Sequence, residues 1–353
     1  MIRTKSMVIF MKLTVKKSLS FIFALLFISQ LTAFSVSAEP EADEIKTFVG
    51  NEPVTSEAAI IIDFATGVVV YEHNADELRV PASMTKMIAA YVVFDAIDNG
   101  IVDFDTEIAV SSPATSAFSY NRAFTNVPMP LGSVYTVREL LNVVIVNSAG
   151  AATIALGEGI FGSEEALIQK MNEKLQELDI AGEFFDSWGG SPQNRISSRG
   201  MAKLTRAFIK DYPDILELTS QRIVSFENRN YRSTNPLLTS YEGVDGFKTG
   251  YTRPAGWCFT GTAEIDGRRI ITVTMGSVQG YRFPDTVILL DFGFTYYNIS
   301  IANHFRSSVL YSLEALNTPG TPLVPIKMYN IDEAKYMNIL DLALILNETE
   351  RKD

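Results

Sequence analysis

Residues 81–87 read Pro-Ala-Ser-Met-Thr-Lys-Met and open an apolar stretch, Met84 to Ile97, that contains neither glycine nor proline. Its apolar residues recur at helical spacing, which predicts a core helix beginning just after Pro81. Ser83 and Lys86 stand three apart at its start and therefore share one face, a turn apart. A partly buried lysine in that position gives up its proton readily, because desolvation disfavours the ammonium. The neutral amine then accepts the serine proton and makes a nucleophile without any histidine. The helix N-terminus adds positive potential for an anionic transition state. Alone, S-x-x-K is a weak string that recurs by chance in a long chain. Its setting between Val80-Pro81-Ala82 and an uninterrupted helix is what raises it above chance.

Outward from this block the pattern changes on both sides. Before it, Ala58 to Asp63 and Val68 to Tyr71 are β-branched or apolar runs around Thr66-Gly67, which predicts a hairpin. After it come helical patterns at Val137 to Val146, Glu164 to Leu178 and Arg199 to Ile209. Phe247, Trp257 to Ala263 and Ile270 to Met275 then alternate with turns at Gly250, Pro254-Ala255-Gly256 and Asp266-Gly267, an antiparallel meander, and Val287 to Phe294 predicts a closing helix. Strands at both ends with helices between them give an α/β (α+β) class. One sheet is covered by helices, its first hairpin and later meander meeting across a helical insertion. Asn317 to Pro325 has the composition of a linker. Beyond it, Tyr336, Ile339, Leu340, Ala343 and Leu344 share a helical stripe, expected to pack on the body. A membrane-surface role for that stripe is opposed by Asp332, Glu333, Asp341 and Glu348, since interfacial helices carry a basic polar face.

Composition narrows the chemistry. With 47% apolar and 20% charged residues over 353, the chain has the makings of a large core, and one cysteine excludes a disulfide scaffold. Two histidines, His73 and His304, are too few for most zinc hydrolases and leave little room for a Ser-His-Asp triad. Cys258 lies in the apolar run Trp257-Cys258-Phe259 and reads as a buried small hydrophobe rather than a reactive thiol. The first 38 residues hold five basic residues and no acid, so the remainder has 25 basic against 41 acidic residues, and no nucleic acid is expected as a partner. Lys12, Lys16 and Lys17, the apolar Leu19 to Leu31, and Val36-Ser37-Ala38 follow the order of a secretory signal peptide. Cleavage is expected after Ala38, the alternative being an uncleaved anchor.

Two further signals concern the site. Asp245-Gly246-Phe247-Lys248-Thr249-Gly250 sits on a predicted strand edge, where Lys-Thr-Gly offers an ammonium, a hydroxyl and close backbone access. That set suits a terminal carboxylate and a peptide laid alongside; a polar strand end with a turn glycine reads equally well. Ser148 follows the apolar helix, and alone it would be a solvated serine past a helix end.

Taken together and in order, these blocks resemble the penicillin-binding and serine β-lactamase superfamily, whose signature runs S-x-x-K, S-x-N, K-T-G. The likeness is greatest to the serine D-alanyl-D-alanine carboxypeptidases and covers roughly residues 58–294, including AAIIIDFATGVVVYEHNAD, PASMTKM, MNEKLQEL, DGFKTGYT and LLDFGF. It implies a β-lactamase/transpeptidase-like fold, an antiparallel sheet flanked by helices with a short C-terminal appendage. The implied organisation is a signal peptide at 1–38, a lead-in at 39–57, the carboxypeptidase domain at 58–300, and a linker with helical tail at 301–353. By the same resemblance Ser83 is the acylated nucleophile, Lys86 its base, and Ser148 the second catalytic serine. Lys248 and Thr249 bind the substrate carboxylate beside Gly250, the backbone N–H groups of Ser83 and Tyr251 form the oxyanion hole, and Arg199 orients the carboxylate; an ordinary helix-start arginine is the plainer reading of Arg199.

The reaction so implied releases the terminal D-alanine of a peptidoglycan stem peptide through an acyl-enzyme, with no metal or cofactor. β-Lactams are the expected covalent inhibitors, and the expected place is the periplasm or extracytoplasmic wall space, with peripheral membrane association left open. One departure stands out: the S-x-N block reads Ser148-Ala149-Gly150, so the asparagine amide is missing, with Asn147 one residue too early. This keeps a second reading alive, a relative that binds or acylates without efficient turnover. A β-lactamase of the type needing an E-x-x-L-N glutamate is disfavoured, because Glu139 to Asn142 and Glu314 to Asn317 are each a residue short and misplaced.

Overall fold

The strand Ala58–Asp63 (β1) is buried from end to end, and the period of two along it accounts for the layering of the molecule. Ile60 and Ile62 join Ile271, Val273 and Met275 in the larger core cluster on one face. Ala59 and Ile61 join Phe259, Ile270, Leu289, Leu290 and Phe294 in the smaller cluster on the other. Each such aliphatic side chain contributes about 1.5–3 kcal/mol when fully buried. The computed structural model describes residues 53–120 and 127–297, with short strands also at Lys46–Thr47, Met328–Asn330 and Lys335–Met337.

With β2 at Val69–His73, β3 at Val244–Thr252, β4 at Gly256–Ile265 and β5 at Arg268–Ser277, the sheet runs β3-β4-β5-β1-β2. Every neighbouring pair is antiparallel. Ile61 lies opposite Thr272 and Ile62 opposite Ile271, so the early hairpin and the late meander close into one sheet across the helical insertion. β3 is an edge strand.

The insertion is built around α1, Lys86–Asp98, in which Met87 to Phe94 are all buried. A helix that is apolar all round belongs inside a core, and α1 is packed by α2 (Val137–Val146), α3 (Gly150–Phe161), α4 (Glu164–Glu177) and α5 (Ser198–Asp211). α5 also lies against β1 and β5, while α6 (Arg282–Tyr296) covers the opposite face of the sheet. The start of α2 is fixed by a capping box in which the Thr136 side chain accepts from the Glu139 N–H and the Glu139 carboxylate accepts from the Thr136 N–H. Ser163 and Ser197 cap α4 and α5 in the same manner, without the reciprocal bond.

Three sequence readings change. The helix expected from Met84 begins as a 3-10 turn, Ala82–Thr85, and becomes α-helical only at Lys86. The end of the expected polar lead-in is tied to the core, because Asp285 accepts from the Thr55 N–H at 3.0 Å and from its hydroxyl at 2.9 Å. In the tail, Lys335–Met337 pairs with Met328–Asn330, so Tyr336 lies on a strand and not on a helical stripe. The rest of that stripe, the Asn317 to Pro325 linker and the leader expected at residues 1–38 lie outside the described residues. Among the described residues no helix is long and apolar enough to cross a membrane.

Candidate active site

The Ala82–Thr85 turn is held between two glycines from distant parts of the chain. A side chain at Gly250 on β3 would put its Cβ 2.5 Å from the Pro81 carbonyl oxygen, and one at Gly189 would put it 2.0 Å from that of Ala82. Gly189 also has φ +89°, a left-handed conformation that glycine adopts without strain. Ala82 itself sits at φ +50°, where an L-residue costs about 1–2 kcal/mol, so the turn before Ser83 is kept by its surroundings and not by its own preference.

This turn presents Ser83 to Lys86. The Lys86 ammonium nitrogen lies 3.1 Å from Ser83 Oγ and donates to the Trp188 carbonyl oxygen at 2.5 Å. Lys86 is fully buried, and desolvation brings its pKa down from 10.5 to about 7 against the opposing pull of Asp186. Lys248 on β3 is also buried, and its pKa falls well below the lysine range through desolvation, with the charges of Lys86 and Arg282 adding to the fall. The Lys86 charge is among the causes of that fall, so the two amines are electrostatic neighbours and a proton on Lys86 disfavours one on Lys248. Thr249 donates its hydroxyl to Thr234 Oγ at 2.7 Å, and the Thr234 N–H donates to the Val146 carbonyl at 3.2 Å. That chain of contacts joins the Lys-Thr-Gly strand to the turn carrying Ser148. Ser148 has φ +68°, is buried, and its Oγ is without a hydrogen-bond partner among the described residues, as is Asn147 Oδ1. Tyr251, next along β3, is about half exposed, with its ring 4.2 Å from that of Trp257.

The structure thus gathers Ser83, Lys86, Lys248, Thr249 and Gly250 around one turn, with Tyr251 at the rim and Ser148 reached through Thr234. Arg199 is engaged elsewhere. Its guanidinium Nε donates to Asp76 at 2.7 Å and its Nη2 to Glu72, both on exposed surface, which is the helix-start reading and not a carboxylate-orienting one. Cys258 is buried with its thiol pushed up to about 11 by desolvation.

The sequence profile of the D-alanyl-D-alanine carboxypeptidase peptidase family matches residues 45–279, which spans the sheet, the helical insertion and the cluster from Ser83 to Tyr251. The chain belongs to that family. It is 32% identical over 250 residues to the D-alanyl-D-alanine carboxypeptidase DacF of Bacillus subtilis, covering 69% of this chain and 63% of that relative's length. Among solved structures, a peptidoglycan synthesis regulatory factor from Streptococcus pneumoniae superimposes with a TM-score of 0.64 at 33% identity, covering 68% of this chain and 71% of that one. Penicillin-binding protein D2 of Listeria monocytogenes, in its cefotaxime-bound form, gives 0.60 at 28% identity, covering 68% and 98%.

Within this carboxypeptidase family fold, three groups at the cluster had no role assigned from the sequence. Trp188 supplies the carbonyl that holds Lys86; in the sequence it belonged to Phe185 to Gly190, a stretch less polar than its counterpart in the resembled family and expected to reshape the rim. Thr234 carried no signal before its partner Thr249 was placed. Arg282 donates from Nη1 to the Gly250 carbonyl at 3.3 Å and stacks over Trp257 at 4.8 Å; in the sequence it was an arginine ahead of a closing helix.

Proposed function

We propose that the protein is an exported serine D-Ala-D-Ala carboxypeptidase acting on peptidoglycan stem peptides. The observation that carries the proposal is the buried Lys86 amine, 3.1 Å from Ser83 Oγ and brought to about pKa 7. An amine with that pKa is largely neutral just above pH 7, so it takes the Ser83 proton as the hydroxyl attacks the penultimate D-alanine carbonyl. The tetrahedral oxyanion is received by the backbone N–H groups of Ser83 and Tyr251. Collapse gives the protonated amine of the leaving D-alanine and an acyl ester on Ser83. Water then adds to that ester with Lys86 again taking the proton. The Ser148 hydroxyl, buried and free to bond, relays protons between the amines and the leaving nitrogen. The substrate carboxylate is received by the Thr249 hydroxyl and by Lys248. Its negative charge raises the Lys248 pKa and so recruits a proton on binding. Arg282, at the start of α6 with its Nη1 on the Gly250 carbonyl, adds fixed positive charge beside that strand in place of Arg199. A β-lactam bears the same anion and acylates Ser83 by the same steps. Export follows from the leader at residues 1–38.

Mass analysis of a stem pentapeptide incubated with the protein tests this reading: loss of one D-alanine, absent in Ser83→Ala, is expected. Intact pentapeptide at high enzyme, with no penicillin adduct on Ser83, overturns it. Gly150 favours a second reading, because it brings no amide to the substrate's peptide group, a loss of about 1–3 kcal/mol. A lasting penicilloyl adduct on Ser83 without peptide release would select that reading.

A further inference from the structure

Gly150 begins α3, and a Cβ built there meets the Trp188 indole, with Cε3 at 3.4 Å and Cβ and Cδ2 at 3.5 Å. The far edge of the same indole lies against Gly190, where a Cβ would fall 2.1 Å from Cη2. Two glycines from separate segments make room for one large ring. The Lys86 amine is 5.9 Å from the ring centroid and bonded to the carbonyl of the same residue. The loop bearing Trp188 is firmly held. Asp186 accepts from the Gly189 N–H at 2.7 Å, the Ser191 N–H at 2.5 Å and Asn194 Nδ2 at 2.9 Å. Glu164 on α4 accepts from the Ser187 N–H at 3.1 Å and its hydroxyl at 2.7 Å. Asn194 in turn donates to Thr85 Oγ1 at 3.2 Å, within the turn that presents Ser83.

We infer that the Trp188 indole is a positioning residue that fills the volume left open by Gly150 and keeps water from the Lys86 amine, so that a loop side chain supplies the wall that α3 does not. Burial is what brings Lys86 to about pKa 7, and on this inference the indole has a part in that burial. The charged groups facing Lys86 are Asp186 from the loop, with Glu164 behind it, and Lys248 from β3, with Arg282 beyond it; Ser83, bonded to the amine, is uncharged. None of these is altered by substitution at 188. Substitution at 188 also removes the ring that faces the ammonium, a loss that would lower the midpoint, so an upward displacement reports water entry.

The inference deepens the acylation chemistry proposed above and rests on it for its kinetic consequence, but its first test needs no activity. The side-chain resonance of Lys86 in lysine-labelled protein, assigned by its absence from Lys86→Arg, is followed through a pH titration. In Trp188→Ala the midpoint is expected to move upward by about one unit or more, and in Trp188→Phe by less, since a ring still covers Gly150. Unmoved midpoints in both variants overturn the inference. The second test is a double-substitution cycle read by the rate of penicillin acylation on Ser83. Gly150→Leu grows against the indole and is expected to cost about tenfold or more in the native background. In Trp188→Ala it enters vacated space and is expected to cost little or restore rate. Equal losses in the two backgrounds overturn the inference, and a purely structural indole would lower the melting temperature while leaving the Lys86 midpoint in place.

Discussion

Replacing Gly250 by alanine sets a methyl carbon 2.5 Å from the Pro81 carbonyl oxygen and 3.3 Å from Ala82 Cβ and Met84 Cγ. The carbonyl belongs to backbone, and Ala82 is already in a left-handed conformation, so the turn has little freedom to give way. Restoring ordinary contact at 3.4 Å requires β3 to withdraw by about 0.9 Å, the difference between the two distances. That displacement carries Lys248 and Thr249 away from Ser83 and Lys86. Misplacement of about 1 Å in a catalytic group costs up to about a hundredfold in rate, and overpacking costs about 1–3 kcal/mol in stability. Gly250→Ala is therefore expected to lower both fluorescent-penicillin acylation and D-alanine release by about ten- to a hundredfold, with a modest fall in melting temperature. Stopped-flow acylation and a thermal melt measure both quantities on one sample. A variant that acylates within about threefold of the native protein would refute the reasoning that the contact between strand and turn sets the distance between the two walls.

Three further outcomes are expected. Because burial holds Lys86 near pKa 7 and below its usual 10.5, the reactive form is the deprotonated one. Acylation should rise with pH through about 7 and level off above it, and a flat or falling profile between pH 6 and 8 would contradict this assignment. Arg199→Ala removes only exposed ion pairs with Asp76 and Glu72, so acylation should stay within about twofold and stability within about 1 kcal/mol of the native values; a large rise in KM would return Arg199 to the carboxylate site. Cys258, buried with its thiol near 11, should resist alkylation in the native protein and react on unfolding, and rapid native labelling read by mass would show that β4 opens.

Much of the fold was legible because its elements carry strong local signals. Val137 to Val146 was read to the residue from its apolar run alone, and the capping box of Thr136 and Glu139 that fixes its start was not part of that reading. α3 went unread: Gly150, Gly157 and Gly159 weaken its helix propensity, and burial on every side leaves no polar face to mark a period. Ser83, Lys86 and Lys248 were found from spacing, because a helix turn and a strand edge each hold their residues in fixed relation. Thr234 and Arg282 were not, and Trp188 was noted only within a rim stretch, since each reaches the cluster from a loop or a helix start whose position depends on the completed packing. Arg199 was placed at the site by resemblance, and Asp76 and Glu72 claim it instead.

The pairing of Ile61 with Thr272 has a consequence for how the molecule comes into being. The central strand is made early, yet its partner emerges only after the entire helical insertion has been synthesised. Contacts so remote along the polypeptide are slow to form, because a long loop must close before they contribute. A fragment ending ahead of Ile270 would lack the neighbour that buries Ile60 to Ile62, so neither wall of the cleft would be anchored. Such a chain stays unfolded until its last third is available, which is the condition in which a polypeptide passes most readily through a narrow conduit.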